Sequence, residues 1–149
     1  MTSFAEALKK GLDVHKRAEE ARNEMAEVLA AASREVSEVL GGEISFQFES
    51  VDRPARGQSS HELIAGVPAP REKFQALTAR THNSAFKVLA EAGFGAIGYP
   101  VTLRWENEFR MADDRDGFES VIKDLLAHGV TGSKIEALLR GISTSETAR

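Results

Sequence analysis

The residues of this chain that could do metal or acid–base chemistry are four histidines and a set of scattered carboxylates. The histidines are His15, His61, His82 and His128, and no two of them have the H-x-x-x-H or H-E-x-x-H spacing that puts two imidazoles on one side of a helix. The chain has no cysteine, which removes thiolate ligands, thiol nucleophiles and disulfides. The sequence therefore predicts no metal site and no cofactor.

Two short motifs resemble ligand-binding loops but lack a decisive feature of each. Gly93–Gly98 fits G-x-G-x-x-G, yet a dinucleotide loop follows a strand and opens a helix, and the order predicted here is a helix followed by a strand. Asp113–Gly117 resembles part of a calcium loop, but its register puts Ala112 and Lys123 where carboxylates are required. We interpret the first motif as a connection and the second as carboxylates before a helix N-terminus.

Ser59-Ser60-His61 is the remaining candidate for nucleophilic catalysis. A serine nucleophile needs a histidine that is placed by tertiary structure, and nothing in the sequence frames these residues as a strained strand-to-helix turn. The sequence thus offers no catalytic residue, and we predict that the protein is not an enzyme.

The element that would position a binding surface is a long amphipathic helix over residues 3–40. Ser3 and Glu6 have capping-box spacing, and Gly41-Gly42 supplies a left-handed C-cap. Apolar side chains recur at three- and four-residue intervals along one side. The predicted helix-contact face consists of Phe4, Leu8, Ala18, Met25, Leu29, Ala32 and Val36.

This helix is longer than a compact domain of the same chain. Its length is about 55 Å at 1.5 Å per residue, whereas a compact chain of this size is about 40 Å across. We therefore expect part of the helix to project. Its apolar face has three alternative partners: the sheet of the same chain, a second copy, or another protein. Gly11 and His15 interrupt this face in its first half.

A β-rich region is predicted over residues 43–112. Ile44, Phe46 and Phe48 alternate with polar residues, which indicates a strand with one buried side. We expect it to end over 51–54 and a loop to follow over 56–60. Residues 61–67 fit a second short strand, closed by the stiff segment 68–70.

In the second half of this region, two segments fit either a strand or a helix. Residues 74–80 fit a strand or a helix, and we favour a strand. Residues 84–92 favour a helix that ends at Gly93, although 86–88 would also extend a strand. Alternation over 99–105 indicates a strand, and Glu106-Asn107 is a plausible hairpin turn.

Two short helices are predicted over residues 116–140. Asp116 and Glu119 have capping-box spacing, Gly129 is expected to end the first helix, and Ser133 and Gly141 to bound the second. Residues 143–149 form a polar tail that we expect to be mobile. The sequence therefore predicts one α+β domain over 1–142, with a long N-terminal helix, a small antiparallel sheet of three to five strands and two short C-terminal helices.

The composition is that of an ordinary globular protein. The chain has 149 residues, of which 42% are hydrophobic and 28% charged, with a net charge of −4. No apolar run approaches the ~20 residues that a membrane span needs, and the N-terminus has no signal-peptide core. We expect a cytoplasmic bacterial-type protein with no membrane partner.

Charge is unevenly distributed, because residues 53–90 carry six basic and two acidic side chains while both ends are acidic. The acidic ends suggest a patch that would speed encounter with a basic partner. The basic middle suggests a nucleic-acid contact, which the acidic pI of about 5.6 does not favour. The acidic patch is Glu43, Glu49, Asp52, Asp113, Asp114 and Asp116, and the basic patch is Arg71, Lys73 and Arg80.

These features favour a non-enzymatic protein that works by binding another protein. The small size, the acidity and the α+β layout are typical of bacterial immunity proteins and phage-encoded inhibitors, although no motif identifies a family. The first alternative is a homo-oligomer, possible as a homodimer, that uses the N-terminal helix as a scaffold. The second alternative, and the least favoured, is a nucleic-acid-binding accessory factor that uses the basic middle.

Overall fold

The computed structural model describes residues 3–54 and 71–147 and has an α+β architecture. A long N-terminal helix precedes a five-stranded antiparallel sheet, and two shorter helices follow it. In chain order the elements are α1 (Phe4–Leu40), β1 (Ile44–Pro54), β2 (Arg71–Thr81), β3 (Phe86–Gly95), β4 (Gly98–Trp105), β5 (Glu108–Ala112), α2 (Arg115–Leu126) and α3 (Gly129–Thr147).

Both predicted ends of α1 are confirmed. The amide N–H of Glu6 donates to the Ser3 hydroxyl at 3.2 Å, and the Ser3 N–H donates to the Glu6 carboxylate at 3.4 Å, which is a complete capping box. At the other end, Gly41 has φ +68° and donates its N–H to the Ser37 carbonyl. Because glycine adopts the left-handed conformation without a steric penalty, it ends the helix there.

Every strand of the sheet pairs with its neighbours in sequence, in the order β1-β2-β3-β4-β5. β1 stays paired with β2 from Ile44 to Pro54, so the strand end predicted over 51–54 is confirmed. The strand predicted over 74–80 is confirmed within β2. The loop predicted over 56–60, the strand over 61–67 and the segment 68–70 lie outside the described residues.

The helix predicted over 84–92 is wrong, because this segment is the central strand β3. Its register pairs Ala76 of β2 with Glu91, and Glu91 with Arg104 of β4. Backbone pairing on both sides outweighs the helical propensity of the alanines and the leucine. A bulge opposite Leu77 and Thr78 in the β2 pairing also disturbs the two-residue alternation, which is why this strand is hard to recognise from sequence.

The two faces of the sheet have different compositions. The inner face carries the core and packs against all three helices, whose apolar residues join it in one buried cluster. The outer face is mostly polar and charged. One row of outer-face residues crosses all five strands in register: Glu49, Ala76, Glu91, Arg104 and Phe109.

The predicted hairpin at Glu106-Asn107 is confirmed, with Trp105 paired to Glu108 across it. The two C-terminal helices are also present, but their predicted bounds are wrong. Asp114, instead of Asp116, caps α2, because its extended backbone lets its carboxylate accept from the Gly117 N–H at 2.7 Å.

Glycine does not interrupt α3 as expected. Gly129, predicted to end the preceding helix, is the first residue of α3, ahead of the predicted Ser133 cap, and the helix continues past Gly141 to Thr147. A glycine costs a helix only about 1 kcal/mol relative to alanine. Burial of Ile135 and Leu138 against the core offsets that cost. The mobility expected for residues 143–149 stays a prediction.

Candidate functional site

The helix α1 has two segments with different surroundings. The projecting segment, Phe4–Arg17, is exposed throughout except for Val14, which is half-buried. The seated segment, Ala18–Leu40, contributes all five buried residues of the helix. A projecting part was expected from the length of α1, and it is confirmed at the N-terminal end.

The predicted helix-contact face is divided between these segments. In the seated segment, Ala18, Met25 and Leu29 are buried, and Ala32 and Val36 are partly buried against the core. In the projecting segment, by contrast, the large apolar side chains are open to solvent. Phe4, Leu8 and Leu12 are 98%, 63% and 59% exposed.

Three contacts hold the first part of the seated segment on β4 and α2. The Tyr99 hydroxyl donates to the Glu24 carboxylate at 2.9 Å, and Arg115 pairs with Glu27 at 2.5 Å. Burial, together with the hydrogen bond to Glu24, raises the pKa of Tyr99 well above its ordinary value. Gly98 of β4 lies directly beneath Ala21, where an added Cβ would come within 2.4 Å of the alanine Cβ.

The same glycine belongs to the G-x-G-x-x-G motif, which turns from β3 into β4 and not from a helix into a strand. An added Cβ at Gly93 would meet the Thr102 hydroxyl at 2.6 Å, and one at Gly95 would meet the Tyr99 carbonyl at 2.4 Å. All three glycines thus permit close packing between strands or between a strand and α1. The motif therefore has a structural explanation.

A groove lies along one flank of the seated segment, where α1 leaves part of the inner face uncovered. Its volume is about 890 Å³. Phe48 and Phe94 form its floor as an edge-to-face pair with ring centroids 4.9 Å apart. Such a pair is a stable apolar platform. The α1 wall of the groove consists of Arg22, Met25, Ala26, Leu29, Ala30 and Ser33.

The side chains that line this groove are suited to binding and not to acid–base catalysis. Among its described lining residues, Arg22 is the only ionisable side chain, and the others are apolar, hydroxyl or amide groups. No carboxylate or imidazole is present to act as a general acid or base. Arg22 also forms no ion pair with any described residue. The groove is thus an apolar cleft with one available cation at its rim.

The groove and the exposed stripe of the projecting segment lie on the same flank of α1. Phe4, Leu8, His15, Arg22 and Ala26 recur at intervals of four or seven residues, which places them along one side of a helix. We call this side, from Phe4 to Ser33 with the groove beside it, the contact flank. Along this flank the exposed apolar side chains of the projecting segment come first, His15 follows, and the groove begins at Arg22.

The edge of the sheet next to the groove is partly sealed by α1. Ser33 accepts a hydrogen bond from the Phe46 N–H at 2.9 Å, and Ser37 both accepts from the Ile44 N–H and donates to the Ile44 carbonyl at 3.0 Å. These serines take the place of a sixth strand at the start of β1, where an open edge invites unwanted pairing.

On the outer face, the arginines are neutralised by glutamates and stacked on aromatic rings. Arg53 donates to Glu72 at 2.7 Å and to Glu91 at 3.3 Å, and its guanidinium lies 4.4 Å from the Phe74 ring centroid. The hydrogen bonds to both glutamates raise the pKa of Arg53. The hydrogen-bond donors of this arginine are therefore occupied by partners within the sheet.

A second such cluster surrounds Arg80. Its guanidinium binds both carboxylate oxygens of Glu49, at 2.6 and 2.7 Å, and lies 4.5 Å from the centre of the Phe86 ring. This bidentate contact lowers the pKa of Glu49 to about 2. A phosphate would have to displace Glu49 in order to reach Arg80.

The predicted basic patch is not assembled by the structure. Arg80 lies on the outer face, whereas Arg71 and Lys73 alternate with it and lie on the inner-face side of β2. Seven residues of strand, about 23 Å, separate Lys73 from Arg80. A convergent set of cations, which phosphate binding requires, is therefore not formed by these three residues.

The predicted acidic patch is also dispersed. Glu43 and Asp52 lie near opposite ends of β1, and Glu49 is held by Arg80 on the outer face. Asp113, Asp114 and Asp116 follow β5 at the opposite edge of the sheet, about 19 Å away at 4.8 Å per strand. These residues are separated because neighbouring strand residues point to opposite faces and because β5 is at the far edge of the sheet. The charge pattern of the sequence shows neither of these facts.

The remaining candidates for chemistry find no partners. Among the described residues, no three histidine or carboxylate side chains come together in a way that could hold a metal ion. Asp114 instead caps α2, as its place before a helix suggested. Ser59, Ser60 and His61 lie outside the described residues. Within the described ranges, no helix has the length and apolar character needed to cross a bilayer.

Comparison with known proteins adds no identification. The chain matches no known protein family, no curated protein sequence and no solved structure. The functional argument therefore depends on the geometry of the contact flank.

Sequence reasoning identified half of this flank and missed the groove. The exposed residues Phe4 and Leu8 were in the predicted contact face, and the spacing of Arg22, Ala26 and Ser33 could have shown that the same flank continues. The aromatic floor could not be anticipated, because it needs the register that brings Phe48 and Phe94 together across three strands.

Proposed function

We propose that this protein acts without catalysis, by binding protein through the contact flank of α1. The observation that carries the proposal is that the exposed Phe4, Leu8 and Leu12 lie on the same side of α1 as the groove floored by Phe48 and Phe94. Burial of apolar surface is favourable by about 25 cal/mol for each Å² removed from water. Exposed apolar patches rimmed by polar residues often mark protein-interaction sites.

The rigidity of the groove also supports a binding role. The groove wall is part of a helix that is anchored by Tyr99 and Arg115, and its floor is a paired sheet. A preformed surface loses little conformational freedom on association. An inhibitor or immunity-type protein of the cytoplasm is the class that we propose.

A homo-oligomeric scaffold is the second candidate, and the projecting segment favours it. A 37-residue helix that leaves its first large apolar side chains uncovered is a common means of self-association. A nucleic-acid role is not favoured, because Arg53 and Arg80 are already paired with glutamates.

Affinity capture from the native cell with matched variants tests the proposal. Leu8→Glu with Leu12→Glu places two charges on the contact flank, whereas Lys9→Gln with Lys16→Gln makes the same change in net charge elsewhere on the projecting segment. We expect at least one protein that the wild type captures to be lost with the first variant and retained with the second.

Far-ultraviolet circular dichroism of each variant checks that the fold is intact, because all four positions are exposed. A set of captured proteins that is the same for both variants would refute a role for the contact flank. Met25 and Leu29 are unsuitable positions for this test, since they are 1% and 3% exposed and a charge there would unfold the body.

A further inference from the structure

One side of the groove is the backbone edge of β1. The groove is lined by four consecutive residues of this strand, Ser45 to Phe48, whereas one face of a strand presents only every second residue. The Gln47 side chain is on the outer face, where it donates to Glu49. Lining by consecutive residues therefore means that the groove reaches the edge of β1, which is an end strand of the sheet.

The oblique path of α1 leaves this edge uncovered after Phe46. At the start of β1, the Ser33 hydroxyl accepts from the Phe46 N–H. Farther back along the helix, Ala21 lies over Gly98 of β4. Between these two contacts α1 crosses from β1 to β4, a sideways distance of about 14 Å at 4.8 Å per strand. The groove is the space that opens between α1 and β1 along this path.

Beyond Phe46, the edge of β1 presents backbone groups that have no partner among the described residues. The N–H groups of Ile44 and Phe46 point to α1 and away from β2. Alternate residues of a strand direct their N–H and C=O groups to the same side. Because the register with β2 is unbroken along β1, the groups of Phe48, Ser50 and Asp52 point the same way. No described residue donates to them or accepts from them.

We propose that the contact flank binds an extended segment of another protein, which adds to the sheet as a sixth strand antiparallel to β1 and places alternate side chains in the groove. The proposal rests on the proposed function, since it states what form of segment this surface binds. Strand addition satisfies open backbone groups with main-chain hydrogen bonds, and pockets beside the edge select the side chains. Neighbouring strands of the sheet are all antiparallel, which favours this direction.

The shape of the groove favours apolar side chains on this segment. Residues directly opposite each other in an antiparallel pair have side chains on the same face, so the residues opposite Phe48 and Ser50 enter the groove. The floor beneath them is the pair of Phe48 and Phe94. On the other side, α1 presents the small side chains of Ala26 and Ala30. Apolar side chains at every second position therefore fit this space.

The charge of the groove favours one carboxylate on the segment. Arg22 is exposed on the α1 wall and forms no ion pair with any described residue. It is about three turns before Ser33 on α1. Because Ser33 lies beside Phe46, Arg22 lies toward the Ser50 end of the groove. An antiparallel segment begins at this end, so we expect its carboxylate near its start.

Amide hydrogen exchange, followed by nuclear magnetic resonance, tests whether the edge is open. In the free protein, the Phe48 and Ser50 amides should exchange about 100-fold faster than those of Glu49 and Val51, which point to β2. The Phe46 amide, which donates to a serine of α1, should also be slower. Equal protection of all these amides would mean that the edge is already covered. Protection that grows with protein concentration would mean that a second copy covers it, and either result overturns the proposal.

Binding is tested with a set of synthetic peptides, acetyl-Glu-Thr-x-Thr-x-Thr-amide, in which x is Val, Ile, Leu or Phe. At a peptide concentration of about 1 mM, we expect at least one of them to shift the Phe48 and Ser50 amide resonances. The same peptide should slow the exchange of these two amides by about tenfold or more. If no peptide of the set does so, the proposal is overturned.

Ser50→Pro separates strand addition from other modes of apolar binding. It removes an N–H from the open edge and leaves the pairing with β2 in place, and proline is tolerated on edge strands in this orientation. Ser50→Ala keeps the N–H and is the matched control. We expect Ser50→Pro to weaken peptide binding by about tenfold or more and Ser50→Ala to leave it unchanged. Equal affinities of the two folded variants overturn the proposal, and the measurements on the wild type do not depend on either variant.

The role of Arg22 is tested by changing the peptide and the protein together. Glutamine in place of glutamate in the peptide should weaken binding to the wild type about 3–5-fold, and it should have no effect on binding to Arg22→Gln. Lys16→Gln, at an exposed position outside the groove, is the control and should keep the preference for glutamate. An equal preference in all three proteins would overturn the assignment of Arg22.

These measurements use purified protein and stated peptides, so they fail separately from the capture experiment. If Leu8→Glu with Leu12→Glu loses a captured protein, and yet the Phe48 and Ser50 amides are already protected in the free wild type, this inference fails and the proposed function stands.

Discussion

The projecting and seated segments of α1 share one continuous helix but depend on different forces. The seated segment buries Met25 and Leu29 against the sheet, where they are 1% and 3% exposed. The projecting segment has a capping box at Ser3 and no comparable burial. Most helices in proteins are stabilised by packing of an apolar face, so the two segments should respond very differently to the same substitution.

This difference shows why the apolar spacing of α1 was ambiguous. Apolar residues in both segments have helical spacing, but only those of the seated segment face the sheet. The apolar residues of the projecting segment lie on the neighbouring flank, on the side of the groove. A pattern that reads as one stripe in sequence therefore serves two surfaces, one for the fold and one for contact.

The largest contrast is expected for leucine truncation. Leu29→Ala should lower the free energy of unfolding by about 2–5 kcal/mol, because it leaves a cavity in the core. Leu8→Ala should change it by less than about 0.5 kcal/mol. Urea unfolding at low protein concentration, where self-association contributes little, measures both. Equal effects would contradict the division of α1 into two segments.

The two glycines at Gly98 and Gly11 provide the next contrast. Gly98→Ala should destabilise the protein by about 2–4 kcal/mol, because the new Cβ overlaps Ala21 and φ is +91°. Gly11→Ala should stabilise it by about 0.5–1 kcal/mol through helix propensity. Thermal unfolding of the two variants checks the signs. A tolerated Gly98→Ala would mean that α1 is not held closely on β4.

Loss of the hydrogen bonds between the α1 serines and β1 is expected to have an intermediate effect on the free energy of unfolding. Ser37→Ala removes two hydrogen bonds to Ile44 and should cost about 1–2 kcal/mol, since a partly buried N–H loses its partner. Ser50→Ala, at an exposed position of β1, is the control, and its effect on the free energy of unfolding should be near zero. Chemical denaturation compares them, and equal losses would argue against a specific role for these hydrogen bonds.

The smallest effect is expected for the contact between Tyr99 and Glu24. Because burial and Glu24 raise the pKa of Tyr99, this group stabilises the fold below about pH 10, and the stabilisation is lost as pH rises further. Glu24→Gln should lower the pKa of Tyr99 and cost about 0.5–1.5 kcal/mol at neutral pH.

Ultraviolet absorbance of tyrosinate follows this group without interference, because Tyr99 is the only tyrosine in the chain. The Glu119→Gln variant, at an exposed position on α2, serves as a control. Ionisation of Tyr99 at its ordinary pKa in the wild-type protein would contradict a close contact between α1 and β4.

The parts of the fold that were predictable from sequence have strong local signals. The Ser3 capping box and Gly41 define α1, and the alternation of Ile44, Phe46 and Phe48 defines the start of β1. Such signals depend on the backbone of a few adjacent residues. The order of elements and the α+β class followed from them.

The parts that were not predictable depend on contacts between distant residues. β3 was expected to be a helix because its alanines favour one locally, whereas its strand conformation results from pairing with β2 and β4. Likewise, the basic and acidic patches were grouped by sequence proximity. Strand alternation and sheet order placed Lys73 and Arg80, for example, on different faces.

The anchoring of α1 on β4 also has a consequence for synthesis on the ribosome. The partner residues Glu24 and Tyr99 are 75 positions apart in the chain, so translation at about 5–20 residues per second leaves an interval of roughly 4–15 s between them. During this interval β1, β2 and β3 are made, but β4 is not yet present beneath Ala21. Newly made chains therefore pass through a stage in which α1 can pack on β1 but lacks its anchor on β4.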